Sequence, residues 1–348
     1  MDVIHALKKY QQSLLKQGNP WEEWAAEVYK ACELFSKIIG AKPEEICPHY
    51  SASSALISLL SSFRPNGRKK IVTTDLDYPT IGVTLNGLKE YGFEVEVIKN
   101  QEGVIDVSEY RKAVDSDTLL VATFHVSALN GFRQNVKEIS EICRGEGAYF
   151  LIDVYQSIGV EPVDVRKMDV DFLVAGATKF LLGLPGAGFL YVKQEVVDSL
   201  RPSAVSWFSQ KDPFRFGPEK MDYRKDAKRF EMGTWSVPSM YAAAAGINII
   251  AEIGVNKIYQ HVEKIKKHFI NLIYDQGFEF FSPIDESVGP TLSVLIGSKS
   301  HEVELLMRRR KVITSARGPG LRFAHHFFNS RQDVQKAVGQ LSKVLKNL

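Results

Sequence analysis

Residues 171–192 read DFLVAGATKFLLGLPGAGFLYV, an almost wholly apolar and small-residue stretch that holds one lysine, Lys179, with glycines close on both sides. Burying an ammonium is costly, and lysine is almost never fully buried without a compensating partner. A covalent bond to the amine would remove that charge, and the rest of the chain can be tested against this idea. The lysine is bracketed by two apolar runs of strand length, DFLVAG (171–176) and GFLYVK (188–193). Neither run alternates, which is the pattern of strands covered on both faces.

Working outward, the same kind of run recurs at KIVTTD (70–75), EVEVIK (94–99), LLVATFHV (119–126) and AYFLIDV (148–154). Helix-length segments lie between several of them, such as TIGVTLNGLKEYG and QNVKEISEICRGEG. Strand and helix in alternation predict an α/β fold with a mostly parallel sheet flanked by helices. Ahead of it, WEEWAAEVYKACELFSKIIG (21–40) reads as an amphipathic helix closed by Gly40, and SSALISLLSSF (53–63) as a short one. After residue 240 the character changes. One long helical stretch runs from SMYAAAAGINIIAEIG through VNKIYQHVEKIKKHFINLIYDQG, followed by short strands TLSVLIG and LRFAHHF and a final helix. The pattern predicts a large domain over 20–240 and a smaller α+β domain built from 1–19 and 241–348. KDPFRFGPEKMDYRKD (211–226) is the best loop candidate and a candidate cover for a site.

Composition narrows the function classes. The 348 residues are 45% hydrophobic and 24% charged, and 44 basic against 41 acidic residues leave a net charge of +3. That is the profile of a soluble globular protein, and the RRRK run at 308–311 reads as a solvated helix end rather than a nucleic-acid footprint. The N-terminal segment carries charges through its would-be apolar region, unlike a signal peptide, and no run approaches the length of a membrane span. A cytoplasmic protein without membrane or nucleic-acid partners is expected. Cys32, Cys47 and Cys143 lack metal-ligand or redox spacing.

In parallel α/β sheets, ligands bind beyond the carboxyl ends of the strands. Asp153 and Gln156 end AYFLIDV, Lys179 follows DFLVAG, Tyr78 follows KIVTTD, and Ser127 and Asn130 follow LLVATFHV. Ser53 and Ser54 stand where a helix begins, as an anion site would require. Singly, each has an ordinary reading: a turn aspartate, an N-cap, a packed turn aromatic, a lysine reaching water. Jointly they supply an amine, an acid, an aromatic and an anion cradle at one sheet edge. Pyridoxal 5′-phosphate asks for that set: a lysine to hold its aldehyde as an imine, a carboxylate to keep its ring nitrogen protonated, and a phosphate cradle.

Taken in order, SASSAL, DYPT, HVSALNG, DVYQS, GATKFLLGLPGAGFLYV, RFEMGT and LRFAHHFFNSRQDV resemble the class V aminotransferase family of fold-type I pyridoxal-phosphate enzymes. Cysteine desulfurases, selenocysteine lyases, kynureninases and isopenicillin-N-epimerase-like proteins belong to that family. The resemblance implies that Lys179 bonds the cofactor and shuttles the α-proton. It implies that Asp153 faces the pyridine nitrogen, Gln156 the phenolic oxygen and Tyr78 the ring. Ser53 and Ser54 correspond to the family's phosphate-binding pair, and Thr178, at the desulfurase histidine position, can still donate to the phosphate. Thr234 corresponds to a threonine that reaches the phosphate of the neighbouring subunit, which implies a homodimer. Arg322 corresponds to the arginine that grips the carboxylate of an amino-acid substrate, with Arg317 as second choice.

The departures are as informative. Ala128 stands where many members have asparagine, and Gly176-Ala177-Thr178-Lys179 replaces the desulfurase pattern Ser-x-His-Lys. No cysteine follows Cys143, so the nucleophilic thiol loop of a desulfurase has no counterpart. Transamination is the first expectation and a lyase or epimerase reaction the second. A dinucleotide-binding oxidoreductase built on GLPGAG (183–188) fits poorly, because those glycines precede a strand rather than a helix. A silent relative would be expected to have lost Lys179 or Asp153.

Overall fold

Seven strands form the central sheet of the computed structural model, which describes residues 2–215 and 219–348. In chain order they are β1 (Ile46–His49), β2 (Lys70–Thr74), β3 (Glu94–Ile98), β4 (Thr118–Phe124), β5 (Tyr149–Asp153), β6 (Phe172–Gly176) and β7 (Gly188–Val192). Across the sheet the order is β1-β7-β6-β5-β4-β2-β3. β2 to β6 pair in parallel, and only β7 runs against its neighbours β6 and β1.

The unbroken apolar runs have the predicted cause. In β6, Leu173 and Ala175 join the apolar cluster on one face while Phe172 and Val174 join that on the other. The first face is covered by helix Trp21–Ile38, whose Phe35 stacks on Phe189 of β7 at 4.4 Å between centroids. Helices Ala52–Leu60 and Pro79–Gly87 bury Leu56, Leu59 and Leu85 against the second. β3 alternates instead, as an edge strand should: Glu94 and Glu96 point outward and pair with Lys69 and Lys70.

The C-terminal part carries an antiparallel sheet, β8 (Thr291–Leu295), β9 (Ser315–Arg317) and β10 (Gly320–Ala324), in the order β8-β10-β9. Helices Val255–Asp275, Ser300–Arg309 and Arg331–Leu345 enclose its own apolar cluster around Phe269, Leu292 and Leu321.

The structure departs from or adds to the sequence reading at three places. The long helical stretch is two helices, Val237–Ile253 and Val255–Asp275, which meet at 79°. Gly254 makes the break at φ 89°, a conformation other residues rarely adopt. β1 and β9, four and three residues long, were not expected as strands. The N-terminal segment is a helix, Val3–Gln17, which packs on Val237–Ile253 through Ala6 and Tyr241. The RRRK run falls at the end of Ser300–Arg309, as expected of a solvated helix end. Among the described residues, no single helix is long and apolar enough to cross a membrane.

Candidate active site

The carboxyl ends of β2, β4, β5 and β6 lie side by side, and the chain leaving each contributes to one cavity of about 280 Å³. Its lining includes Tyr78 beyond β2, Val126 and Ala128 beyond β4, Asp153 and Gln156 from β5 onward, and Lys179 beyond β6. Ser51, Ala52 and Ser53 close it from the start of helix Ala52–Leu60.

Lys179 does not sit buried in its apolar run; its side chain opens into this cavity. Among the described residues it makes no hydrogen bond or ion pair, and its Nζ lies 4.5 Å from the ring centre of Tyr155 and 5.7 Å from that of Tyr78. Protein atoms still crowd the amine. Desolvation, helped by the positive charges of Arg322 and Arg317 and opposed by Asp153, pulls it down to about 8. The turn that presents it carries Leu182 at φ 60°, a left-handed conformation unusual for a leucine.

Asp153 is buried and accepts a hydrogen bond from the backbone N–H of Tyr155 at 2.8 Å. Burial pushes its carboxyl up to about 6, against the pull of that N–H and of Lys179. It has no cationic partner within ion-pairing distance among the described residues. Tyr78 is 45% exposed and stands at the N-cap of helix Pro79–Gly87. The turn before it is held by half-buried Asp77, whose Oδ2 accepts from Thr73 Oγ1 at 2.9 Å, Thr74 N at 2.8 Å and Thr74 Oγ1 at 2.9 Å. Burial pushes the Asp77 carboxyl up to about 7.

The two serines separate. Ser53 lines the cavity, whereas Ser54 is tied into a capping box with Ser51. Ser51 Oγ accepts from Ser54 N at 3.1 Å and Ser54 Oγ donates to Ser51 O at 2.9 Å, so the plain N-cap role falls to that pair. Ser51, not singled out from the sequence, lines the cavity with its neighbours; the S-x-x-S spacing was the signal for it. A Cβ on Gly188 of β7 would lie 2.5 Å from the carbonyl carbon of Ser51. Glycine there lets the strand press against the start of the helix, whose free N–H groups suit an anion.

Arg322, on β10, is half-buried and donates to the carbonyl of Ala128 at 2.6 Å, which brings the smaller sheet to the cavity wall. Desolvation and the neighbouring Arg317 charge pull its guanidinium down to about 10. Arg317 is exposed, and its guanidinium donates to its neighbour Ala316 O. Thr178 bonds the hydroxyl of Tyr155 and Thr234 is exposed; neither lines the cavity. Ser127 and Asn130 are buried and satisfied by backbone, Asn130 bridging Gly103 O and Phe132 N, so Asn130 does not replace the missing asparagine at 128. The 211–226 loop candidate contributes no described residue to the cavity, and 216–218 lie outside the described residues.

An unpaired amine, a buried carboxylate, neither with an ion-pair partner among the described residues, a helix start and a glutamine meet at one cavity. That donor set fits pyridoxal 5′-phosphate: an aldehyde, a basic ring nitrogen, a phosphate and a phenolic oxygen.

Comparison with known proteins agrees. The family model for aminotransferase class-V matches residues 2–338. Over 340 residues the chain is 34% identical to uncharacterized aminotransferase YcbU of Bacillus subtilis (strain 168), spanning 98% of this chain and 90% of that one. A probable cysteine desulfurase of Pyrococcus abyssi (strain GE5 / Orsay) is 28% identical, over 80% of this chain and 73% of the relative. Among solved structures, the apo cysteine desulfurase from Thermococcus onnurineus NA1 superposes with a TM-score of 0.88 at 23% identity, covering 99% of this chain and 92% of that one. The complex of the cystine C-S lyase C-DES with its product cysteine persulfide reaches 0.89 at 16% identity, covering 98% and 93%; both likenesses concern the fold.

The fold is that of the fold-type I pyridoxal-phosphate enzymes. Within it, the chain belongs to the class V aminotransferase family, and its cofactor is pyridoxal 5′-phosphate.

Proposed function

We propose that the protein is an aminotransferase, moving the amino group of an amino acid to a keto-acid acceptor, rather than a desulfurase. The state of the cysteines carries this choice. All three are buried, none lines the cavity, and burial pushes the thiols of Cys32 and Cys47 far up and that of Cys143 up to about 12. Sulfur transfer needs an accessible thiolate, and these groups stay protonated and enclosed.

The bound cofactor supplies an electron-withdrawing ring that stabilises negative charge at the α-carbon of the amino acid. In our reading Asp153 keeps the proton on its ring nitrogen through a charge-assisted hydrogen bond, and burial strengthens that contact. Gln156 faces the phenolic oxygen. Ser53, the start of helix Ala52–Leu60 and Ser51 hold the phosphate, with Thr178 near them and Ser54 shaping the turn. Lys179 would hold the cofactor covalently and, with its amine freed, would serve as the base that takes the α-proton and the acid that gives it back. An amine poised near 8 suits both directions of that transfer. Arg322 grips the substrate carboxylate with two parallel N–H donors, a task for which Arg317, exposed on β9, is the second choice. Tyr78, at the cavity wall, would pack on the ring. The exposure of Tyr78 and Thr234 supports a homodimer in which a second copy covers this face.

The test is product analysis with a panel of amino acids and a keto-acid acceptor. Equal amounts of a new keto acid and a new amino acid, without free ammonia, are expected. Ammonia with a released side-chain fragment would assign a lyase instead, and inversion at the α-carbon alone an epimerase.

A further inference from the structure

We infer that Tyr155 is a positioning residue for Lys179: its ring carries the lysine amine, its hydroxyl holds Thr178, and Gly176 exists to make room for it. Tyr155 lies between Asp153 and Gln156, and its backbone N–H is already bound to the Asp153 carboxylate. The side chain crosses from the end of β5 to the end of β6, where its hydroxyl bonds Thr178 Oγ1. The path passes directly over Gly176. A Cβ there would fall 2.2 Å from Tyr155 Cε2, 2.3 Å from Cζ and 2.5 Å from the hydroxyl oxygen, so any side chain at 176 would force the ring out of this position. Gly176 and Thr178 are two of the positions where the chain departs from Ser-x-His-Lys, and Tyr155 touches both.

The ring meets a need the site creates. Facing Lys179 are Arg322 from β10, Arg317 from β9, Asp153 from β5 and Tyr78 from the turn beyond β2. Two of these are cations, and none makes an ion pair with the amine. The Tyr155 face, at 4.5 Å from Nζ, is the nearer of the two rings. A π face at that distance attracts an ammonium and fixes where the flexible stem ends. Tyr155 therefore acts through Lys179, and the inference rests on the reading of Lys179 as the cofactor-bonding residue.

The experiment measures the amine directly in the full-length protein before cofactor loading. Lys179 acylation by acetic anhydride is followed by peptide mass spectrometry as a function of pH, with cofactor protection measured in parallel. Tyr155→Leu is expected to lower the titration midpoint of Lys179 by about one pH unit, because the favoured charged form loses its π partner. Tyr155→Phe keeps the ring and should hold the midpoint. Gly176→Ser should reproduce the Tyr155→Leu shift by displacing the ring, and should add nothing when combined with Tyr155→Ala. An unmoved midpoint in both Tyr155→Leu and Gly176→Ser, with cofactor uptake retained, overturns the role of Tyr155 and leaves that of Lys179 standing. Failure of pyridoxal 5′-phosphate to protect Lys179 in the unaltered protein overturns both.

Discussion

Two clefts of this molecule both hold charged groups out of bulk water, and they treat them in opposite ways. The larger, about 580 Å³, is bordered by His125, Arg133, Glu161, Tyr259 and Glu286. There Arg133 pairs with buried Glu161 at 2.7 Å and also donates to Glu286 O. Nearby, buried Lys266 pairs with Glu263 and donates to Val288 O at 2.8 Å. In the smaller cleft, Lys179 and Asp153 line one cavity, with the charge of Arg322 close behind its wall, and none of the three makes an ion pair among the described residues. Paired charges are spent on holding segments together; unpaired ones keep their capacity for a ligand, at a cost in stability. Size alone would have chosen the larger cleft.

The comparison breaks most sharply at Lys179. Lys179→Ala should lose the visible absorbance of the loaded protein and reduce turnover by at least about 10³-fold, the scale of a positioned general base. Its thermal midpoint without cofactor should hold or rise, since an unpaired cation is removed. A Lys179→Ala protein that kept both colour and turnover would place the chemistry elsewhere.

The opposite result is expected in the other cleft. Arg133→Met leaves Glu161 buried and unpaired, which should cost about 3 kcal/mol in denaturant unfolding. Arg133→Met combined with Glu161→Leu should recover most of that loss. Neither change should alter turnover per folded molecule. If Arg133→Met were harmless to stability but lowered turnover, the larger cleft would also be functional.

Arg322→Ala sharpens the division within the active cleft. Losing a charge-assisted contact to the substrate carboxylate should raise KM by about 10- to 100-fold. Cofactor affinity should move far less. Equal effects on KM and cofactor affinity would point to Arg317 or to loss of the Ala128 contact.

Much of this was legible in the sequence, and the limits are physical. The runs of β5 and β6 announce themselves because both faces are covered, and Asp153 and Lys179 follow from where those runs end. β1 escaped because ICPH is short and contains a proline, and only its pairing with β7 makes it a strand. The break at Gly254 was hidden by apolar residues on both sides. Ser51 escaped notice because the S-x-x-S of a capping box does not say which of its serines borders a cavity. Tyr155 was passed over because its space comes from Gly176, on the next strand, and no local pattern records that.

The smallest effect concerns Asp77, which lies behind Tyr78 and has one carboxylate oxygen, Oδ1, with no hydrogen-bond partner. Burial raises its folded-state pKa to about 7 and that of Asp153 to about 6, both above ordinary aspartate values. A raised acid binds its proton more tightly when folded. Its contribution is therefore fully present below the unfolded value, near pH 4, and is lost as pH rises through 6 and 7. Asp77→Asn mimics the protonated form and keeps an acceptor for Thr74 N. Without cofactor, it should match the unaltered protein near pH 4.5 and exceed it by about 1 kcal/mol at pH 8, measured by denaturant unfolding. If the two curves stayed parallel across that range, Asp77 would be ionised throughout, and its charge would belong with the compensated ones of the larger cleft.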